Sequence, residues 1–257
     1  VSRRGAALLL VAAVSAPALA DIPLEARRSG YADMGRETRA MQDDDATNPG
    51  MLWVLDGEAL WRKKEGAAAK SCADCHGEAG ASMKGVAARY PAYDPARSKL
   101  LGLEERLNVC RVERQQAAPL AWESRELLAL TAYVALQSRG LPIAPDASEG
   151  ARAALEAGGA LFHRRQGQLN LACAQCHDER HGAKLAGNPI PQGQSTGYPI
   201  YRLEWQGLGS LQRRLRNCMT GVRAEPYGYG SPELVGLELY LMWRARGMKL
   251  ETPAVRP

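Results

Sequence analysis

Beyond its first twenty residues the chain has no apolar run approaching the roughly 18 residues that cross a bilayer, which excludes a membrane-spanning helix from the body of the protein. It also lacks a strong charge of either sign. Lys and Arg total 33 against 28 Asp and Glu, a net charge of +5, and Arg3 and Arg4 in the N-terminal segment supply two of those positive charges. Nothing in that balance calls for a nucleic-acid partner. Histidine is scarce, with four in 257 residues, and cysteine numbers six.

The start of the chain is organised for export. Val1-Ser2-Arg3-Arg4 leads into the apolar stretch Ala6 to Val14, and Ala18-Leu19-Ala20 precedes Asp21. A charged start, an apolar centre and an A-x-A site together mark a secretory signal peptide, and the apolar run is too short to span a bilayer. Cleavage is expected near Ala20/Asp21, releasing a periplasmic protein with no stable membrane insertion. Cysteines in such a compartment ordinarily form disulfides.

Their spacing points elsewhere. Cys72-Ala73-Asp74-Cys75-His76 and Cys173-Ala174-Gln175-Cys176-His177 are two copies of C-x-x-C-H, the attachment signal of a c-type haem. The two-residue gap lets one turn of chain present both thiols to one porphyrin edge, and the adjacent histidine falls under the iron. Zinc also uses C-x-x-C pairs. Two exported copies, each followed directly by histidine, favour two covalently bound haem c groups.

The repeat extends well beyond the motifs. Gly57-Glu58-Ala59-Leu60-Trp61 precedes Cys72 at the spacing that Gly158-Gly159-Ala160-Leu161-Phe162 keeps before Cys173, each reading as a first helix with an aromatic near the haem. Downstream, Arg106-Leu107-Asn108-Val109-Cys110 matches Arg214-Leu215-Arg216-Asn217-Cys218. Ser124 and Ser231 are expected N-caps, with Pro232 at the first helical position of the second copy. Leu127, Leu130 and Val134 recur at helical spacing, as do Leu234, Leu237 and Leu241, and each helix is expected to stop at Arg139-Gly140 or Arg246-Gly247.

The expected fold is therefore mainly α, with two tandem cytochrome c-like haem domains related by internal duplication and preceded by an N-terminal extension. The expected division is signal peptide 1–20, extension 21–56, first haem domain 57–146 and second haem domain 147–257, with Leu141 to Ser148 as linker. The extension carries Asp43-Asp44-Asp45 and reads equally as a wrap or partner surface and as solvated coil.

A haem held by His76 or His177 has one axial position left, and its occupant separates electron transfer from chemistry. Met83 follows His76 too closely to reach across a haem; Met219 competes, but its counterpart is Arg111. His163 and His181 lack counterparts and read as surface residues. A ligand used in both halves should occupy equivalent positions, as Cys110 and Cys218 do. A Cys110–Cys218 disulfide is the alternative; the duplication favours His76/Cys110 and His177/Cys218 as the two iron ligand pairs.

With these residues in place, the chain closely resembles one family, the SoxA subunit of the SoxAX cytochrome complex of bacterial thiosulfate oxidation. The resemblance covers essentially the whole mature chain. It rests on both C-x-x-C-H sites, the cysteine about forty residues after each, R-L-x-N-C at 214–218, and Trp243-Arg244 before Glu251-Thr252-Pro253. It implies His/Cys ligation of both haems, catalysis at the second, and Cys218 present as a persulfide. It also implies an L-cysteine S-thiosulfotransferase activity, a monohaem partner resembling SoxX, and a sulfur carrier resembling SoxYZ whose cysteine receives thiosulfate. A dihaem electron carrier and a tetrathionate-forming thiosulfate dehydrogenase are the competing readings.

The duplication also ranks the arginines. Arg214 lies one helical turn before Cys218 and could hold a sulfonate, yet Arg106 stands in the same relation to Cys110. Arg244 corresponds to Gln137 in the first half, so it is expected to matter more than Arg214 to turnover. Arg213, Arg216 and Arg223 add positive potential. About seven more residues separate motif from cysteine in the second half (34 from His76 to Cys110, 41 from His177 to Cys218), and the Gly- and Pro-rich stretch Asn188 to Tyr198 reads as an active-site loop.

Overall fold

A computed structural model describes residues 22–257; the expected signal peptide and its cleavage site lie outside the described residues. In chain order the helices are α1 (Arg36–Asp43), α2 (Met51–Arg62), α3 (Cys72–His76), α4 (Ala79–Ser82), α5 (Leu103–Cys110), α6 (Arg125–Leu136), α7 (Glu149–His163), α8 (Cys173–His177), α9 (Leu211–Gly221) and α10 (Pro232–Arg244). The strands are short. β1 (Ala92–Asp94) and β2 (Lys99–Leu101) form an antiparallel hairpin, as do β3 (Lys184–Leu185) and β4 (Asn188–Pro189). β5 (Ile200–Arg202) lies between antiparallel β6 (Gly207–Gly209) and parallel β7 (Ala254–Arg256). Among the described residues no helix is long and apolar enough to cross a membrane.

Each half is built on one crossing of its first and last long helices, α2 on α6 and α7 on α10. Glycine sets the closeness of both crossings. A Cβ on Gly57 would stand 2.1 Å from the Ala129 carbonyl oxygen, and one on Gly158 would stand 2.0 Å from that of Gly236. One turn on, Trp61 and Phe162 present large rings to the same faces, each only 2% exposed. Leu127, Leu130 and Val134 of α6 and Leu234, Leu237 and Leu241 of α10 are all buried against them. Ser124 Oγ accepts from the Leu127 N–H at 3.2 Å and Ser231 Oγ from the Leu234 N–H at 3.3 Å, the expected caps.

The far ends of these helices differ from the sequence expectation. Regular helix stops at Leu136 and Arg244, and turns carry the chain to Gly140 (φ 80°) and Gly247 (φ 82°), whose left-handed backbone suits glycine. The segment expected as a linker is no free tether either. Gly140 N–H donates to the Leu250 carbonyl and Leu250 N–H to that of Leu141, while Ile143, 2% exposed, exchanges backbone bonds with Met248 and Gly247. The two halves are thereby laced together behind their last helices.

The N-terminal extension is a wrap, not solvated coil. Gln42 Oε1 accepts from the Val255 N–H of β7 at 3.0 Å, buried Asn48 donates to the Pro253 carbonyl at 2.9 Å, and Ser29 Oγ bonds Glu251 at 2.6 Å. Its acidic run is used internally: Asp43 accepts from Tyr31, Asp44 closes the turn at Ala46, and Asp45 pairs with both terminal nitrogens of Arg139 at 2.6 and 2.7 Å.

Candidate functional site

Each C-x-x-C-H motif forms a single helical turn, α3 and α8, which places its two thiols three residues apart on one side. In α3 the cap is reciprocal: Ser71 Oγ accepts from Asp74 N–H at 3.0 Å, and the Asp74 carboxylate accepts from Ser71 N–H at 2.8 Å. In α8 Ala172 offers no side-chain acceptor, and only Gln175 Oε1 closes the turn, on the Ala172 N–H at 2.9 Å.

The remaining two cysteines arrive on α5 and α9, each in the pocket of its own half. Burial, and then the neighbouring Cys110, pushes the Cys72 thiol up to about 11; burial and then Cys218 push Cys173 up to about 11. No two of the six cysteines are joined in a disulfide. The Cys110–Cys218 disulfide alternative is thereby corrected, since each sulfur belongs to a different pocket. Met219 is only 4% exposed and packs with Leu211 and Leu215, while Met83 packs against the core of the first half. His163 and His181 lie at the surface.

The second pocket holds its histidine more firmly than the first. His177 Nδ1 donates to the Pro191 carbonyl at 2.7 Å, which leaves Nε2 with its lone pair free for a metal, and burial holds the ring's pKa below the usual histidine range. Gly193 (φ 72°) passes so close that a Cβ there would stand 3.1 Å from the ring. The additional residues of the second half thus fold over the histidine side of the pocket. Among the described residues His76 has no such bond; it is exposed, and its ring lies 5.8 Å from that of Trp61.

Arg244 belongs to the same wall. It is 4% exposed, pairs with Asp178 at 2.6 Å, donates to the Gln192 carbonyl at 3.3 Å and lies 4.5 Å over the ring of Phe162. Its Nε is buried with no partner. Pro191, Gln192 and Gly193 lie within the stretch 188–198 expected as an active-site loop, whereas Asp178 was not expected at the site; its signal was an aspartate at the place of Gly77.

Arg214 is set differently. The equivalence of Arg106 and Arg214 weakened the sequence argument for the latter, but their surroundings are opposite. Arg106 pairs with Asp94 at 3.0 Å, and Asp94 also binds Arg97 at 2.7 Å. In the matching hairpin the residue at Asp94's place is Arg202. The Arg214 side chain has no hydrogen-bonded or ion-paired partner among the described residues. Burial and then Arg214 hold Arg202 below the usual arginine range, opposed first by Glu204, which Arg202 binds at 3.0 Å, and then by Tyr198 and Cys218; Tyr198 is raised by burial and feels both Arg214 and Cys218. Arg202, Arg214, Tyr198 and Cys218 form one electrostatic group. The surrounding basic residues are committed: Arg213 stacks 4.3 Å from Trp205, and Arg216 binds the Tyr227 carbonyl.

This donor set fits a covalently attached haem c. Each pocket offers two thiols on one turn, an imidazole beside them and a thiol from a facing helix, and the second adds a buried guanidinium Nε of the kind a haem carboxylate or substrate anion satisfies.

Comparison with known proteins agrees with these two pockets. A family model described as SoxA/TsdA, cytochrome c domain, matches twice, at residues 56–143 and 157–250. The L-cysteine S-thiosulfotransferase subunit SoxA of Pseudaminobacter salicylatoxidans is 41% identical over 235 residues, covering 91% of this chain and 82% of the relative. The subunit of the same name from Rhodovulum sulfidophilum is 36% identical, covering 89% and 80%. A chain in the crystal structure of SoxXA from P. pantotrophus superposes with a TM-score of 0.87 at 32% identity, covering 90% of this chain and 87% of that one.

Proposed function

Because this chain belongs to the SoxA/TsdA cytochrome c family, we propose that it joins thiosulfate to a cysteine of a sulfur carrier at its second haem site, with Cys218 as the reacting sulfur. It is an L-cysteine S-thiosulfotransferase subunit of the SoxA type and carries covalently bound haem c. In this reading there are two haems, attached through Cys72 and Cys75 and through Cys173 and Cys176, with His76/Cys110 and His177/Cys218 as axial ligands. The protein works in the periplasm with a SoxX-like monohaem cytochrome and a SoxYZ-like carrier.

The observation that carries the reading is the exchange of Asp94 for Arg202. Thiosulfate is a dianion, and a pocket whose arginine lacks an acidic partner attracts it where the neutralised first pocket does not. Arg214 and Arg202 hold the sulfonate end, so that the outer sulfur lies against the soft Cys218 sulfur. His177 is kept in one tautomer by Pro191, and Arg244 steadies that wall through Asp178 and Gln192. Overall, thiosulfate and the carrier thiol give a cysteine S-thiosulfonate, two electrons and one proton. Haem c held by Cys173, Cys176, His177 and Cys218 would supply a one-electron acceptor for these electrons.

The two arginines are expected to fail differently. Arg214→Ala should raise KM for thiosulfate by about 10- to 100-fold, the worth of a charged hydrogen bond, with kcat largely kept. Arg244→Ala should lower kcat and cause the greater total loss, because it removes the wall that orients His177. Steady-state conjugation with ferricytochrome as acceptor, at equal haem content, measures both; a larger loss for Arg214→Ala reverses the ranking.

A further inference from the structure

The two halves meet at a cavity whose walls follow the duplication. Tyr90 and its counterpart Tyr198 line it, as do Leu103 and its counterpart Leu211. The helices that supply these walls also carry the two cysteines, Leu103 with Cys110 on α5 and Leu211 with Cys218 on α9. Two carboxylates break the symmetry of this apolar interface. Glu104 on α5 stands where α9 has Gln212, and Glu238 on α10 stands where α6 has Thr131.

Both carboxylates are nearly out of water, at 8% and 6% exposure. They flank one glycine: Oε2 of Glu238 and Oε2 of Glu104 lie 3.5 and 3.8 Å from the point that a Cβ on Gly102 would occupy. Gln212 Nε2 donates to Glu238 at 2.8 Å, and Gln212 Oε1 accepts from the Gly230 N–H at 2.8 Å. No Lys or Arg pairs with either carboxylate among the described residues. The third acid facing them, Glu123, accepts from Ser210 and lies 4.0 Å from Arg213, so its charge has partners; Tyr90 and Tyr198 are the remaining titratable groups at the cavity.

Two carboxylates buried about one glycine in an apolar wall, with no cation paired to either among the described residues, disfavour the doubly ionised state. Burial raises both pKa values, and for Glu238 the charge of Glu104 raises it further. Neither residue belongs to the haem-binding sets or to the thiosulfate pocket, yet Glu104 shares α5 with Cys110, and Glu238 shares α10 with Arg244.

We propose that Glu104 and Glu238 form a carboxyl pair that holds one shared proton between the two haem pockets and binds a second when a neighbouring haem is reduced, making the interface between the halves a redox-linked proton site. With ferric iron the pair carries one proton and a net charge of −1. When an electron from thiosulfate conjugation converts iron from ferric to ferrous, the pair takes up one proton from solvent and becomes neutral; the proton leaves when the electron passes to the acceptor cytochrome. The benefit is electrostatic, since a buried negative charge beside a site gaining an electron is removed as the electron arrives. The inference rests on haem being present in both halves, which a haem count establishes separately.

Linkage fixes the sign. A group that binds a proton more tightly in the reduced protein makes the potential fall as pH rises, between the pair's pKa in the oxidised and reduced states. The test is spectroelectrochemical titration of the haem-loaded protein from about pH 5 to about pH 9, with infrared difference spectra on reduction. Wild type should show a potential falling with pH and gain a protonated-carboxyl band on reduction. Glu104→Gln, which copies the residue at Gln212, and Glu238→Gln should each lose most of the slope and the band, while Glu123→Gln keeps both. The infrared measurement on wild type stands even where a variant folds poorly. A pH-independent potential in wild type, absence of the carboxyl band, or a slope preserved in Glu104→Gln and Glu238→Gln but lost in Glu123→Gln would overturn the proposal.

Discussion

Cys218→Ala is expected to abolish thiosulfate conjugation, by roughly a thousandfold or more as for loss of a reacting sulfur, whereas Cys110→Ala should leave most of it. The two cysteines share a helix position and a neighbour, the first cysteine of their own haem motif. They differ in everything around them. Cys110 ends its regular helix and is followed by a widened turn, Arg111–Gln115, and the arginine one turn before it is neutralised by Asp94. Cys218 sits inside a continuous helix running to Gly221, with Arg214, Arg202 and Tyr198 grouped beside it. Haem content and spectra must accompany the rates, because either substitution removes an expected iron ligand. Near wild-type turnover in Cys218→Ala at full haem content would refute the assignment of chemistry to this sulfur.

Arg202→Asp is the next largest effect expected, and the more selective. It gives the second pocket the residue of the first, placing a carboxylate where Asp94 pairs with Arg106 at 3.0 Å. Arg214 would then be neutralised inside the protein, and a dianion would meet a carboxylate in place of a cation. Losing one charged contact and adding one repulsion costs about 3 kcal/mol or more, a fall of about a hundredfold or more in kcat/KM for thiosulfate. Arg202 already binds Glu204 at 3.0 Å, so Arg202→Gln separates loss of the cation from gain of the anion and should fall between. The loss should shrink at high salt if long-range attraction dominates, and persist if contact dominates. An Arg202→Asp variant with unchanged KM would show that the hairpin charge does not select the second pocket.

The sequence carried the covalent chemistry plainly, because C-x-x-C-H is local: three side chains on one turn need nothing from the rest of the fold. The helix crossings were legible for a similar reason. Gly57 with Trp61 and Gly158 with Phe162 sit one turn apart, a spacing that puts a close approach and a large ring on one face. What could not be read depends on long returns of the chain. The Pro191 carbonyl reaches His177 from a loop, Asp178 reaches Arg244 across 66 residues, and Gln42 reaches the C-terminal strand across 213. No periodicity announces such contacts.

The most consequential difference, Asp94 against Arg202, lies in strands of three residues, too short to show alternation. Aligning the halves backward from Cys110 and Cys218, rather than forward from the haem motifs, exposes it. Glu104 and Glu238 were hidden for another reason. Glutamates on helices are mostly solvent-facing, whereas these two line the cavity between the halves.

Mass spectrometry of the purified protein, intact and after digestion, tests the duplicated haem architecture most directly. Two haem masses are expected, one on the peptide holding Cys72 and Cys75 and one on that holding Cys173 and Cys176, with sulfur added during turnover on the Cys218 peptide and none on the Cys110 peptide. A protein carrying one haem, or one that accumulates sulfur at Cys110, would contradict it.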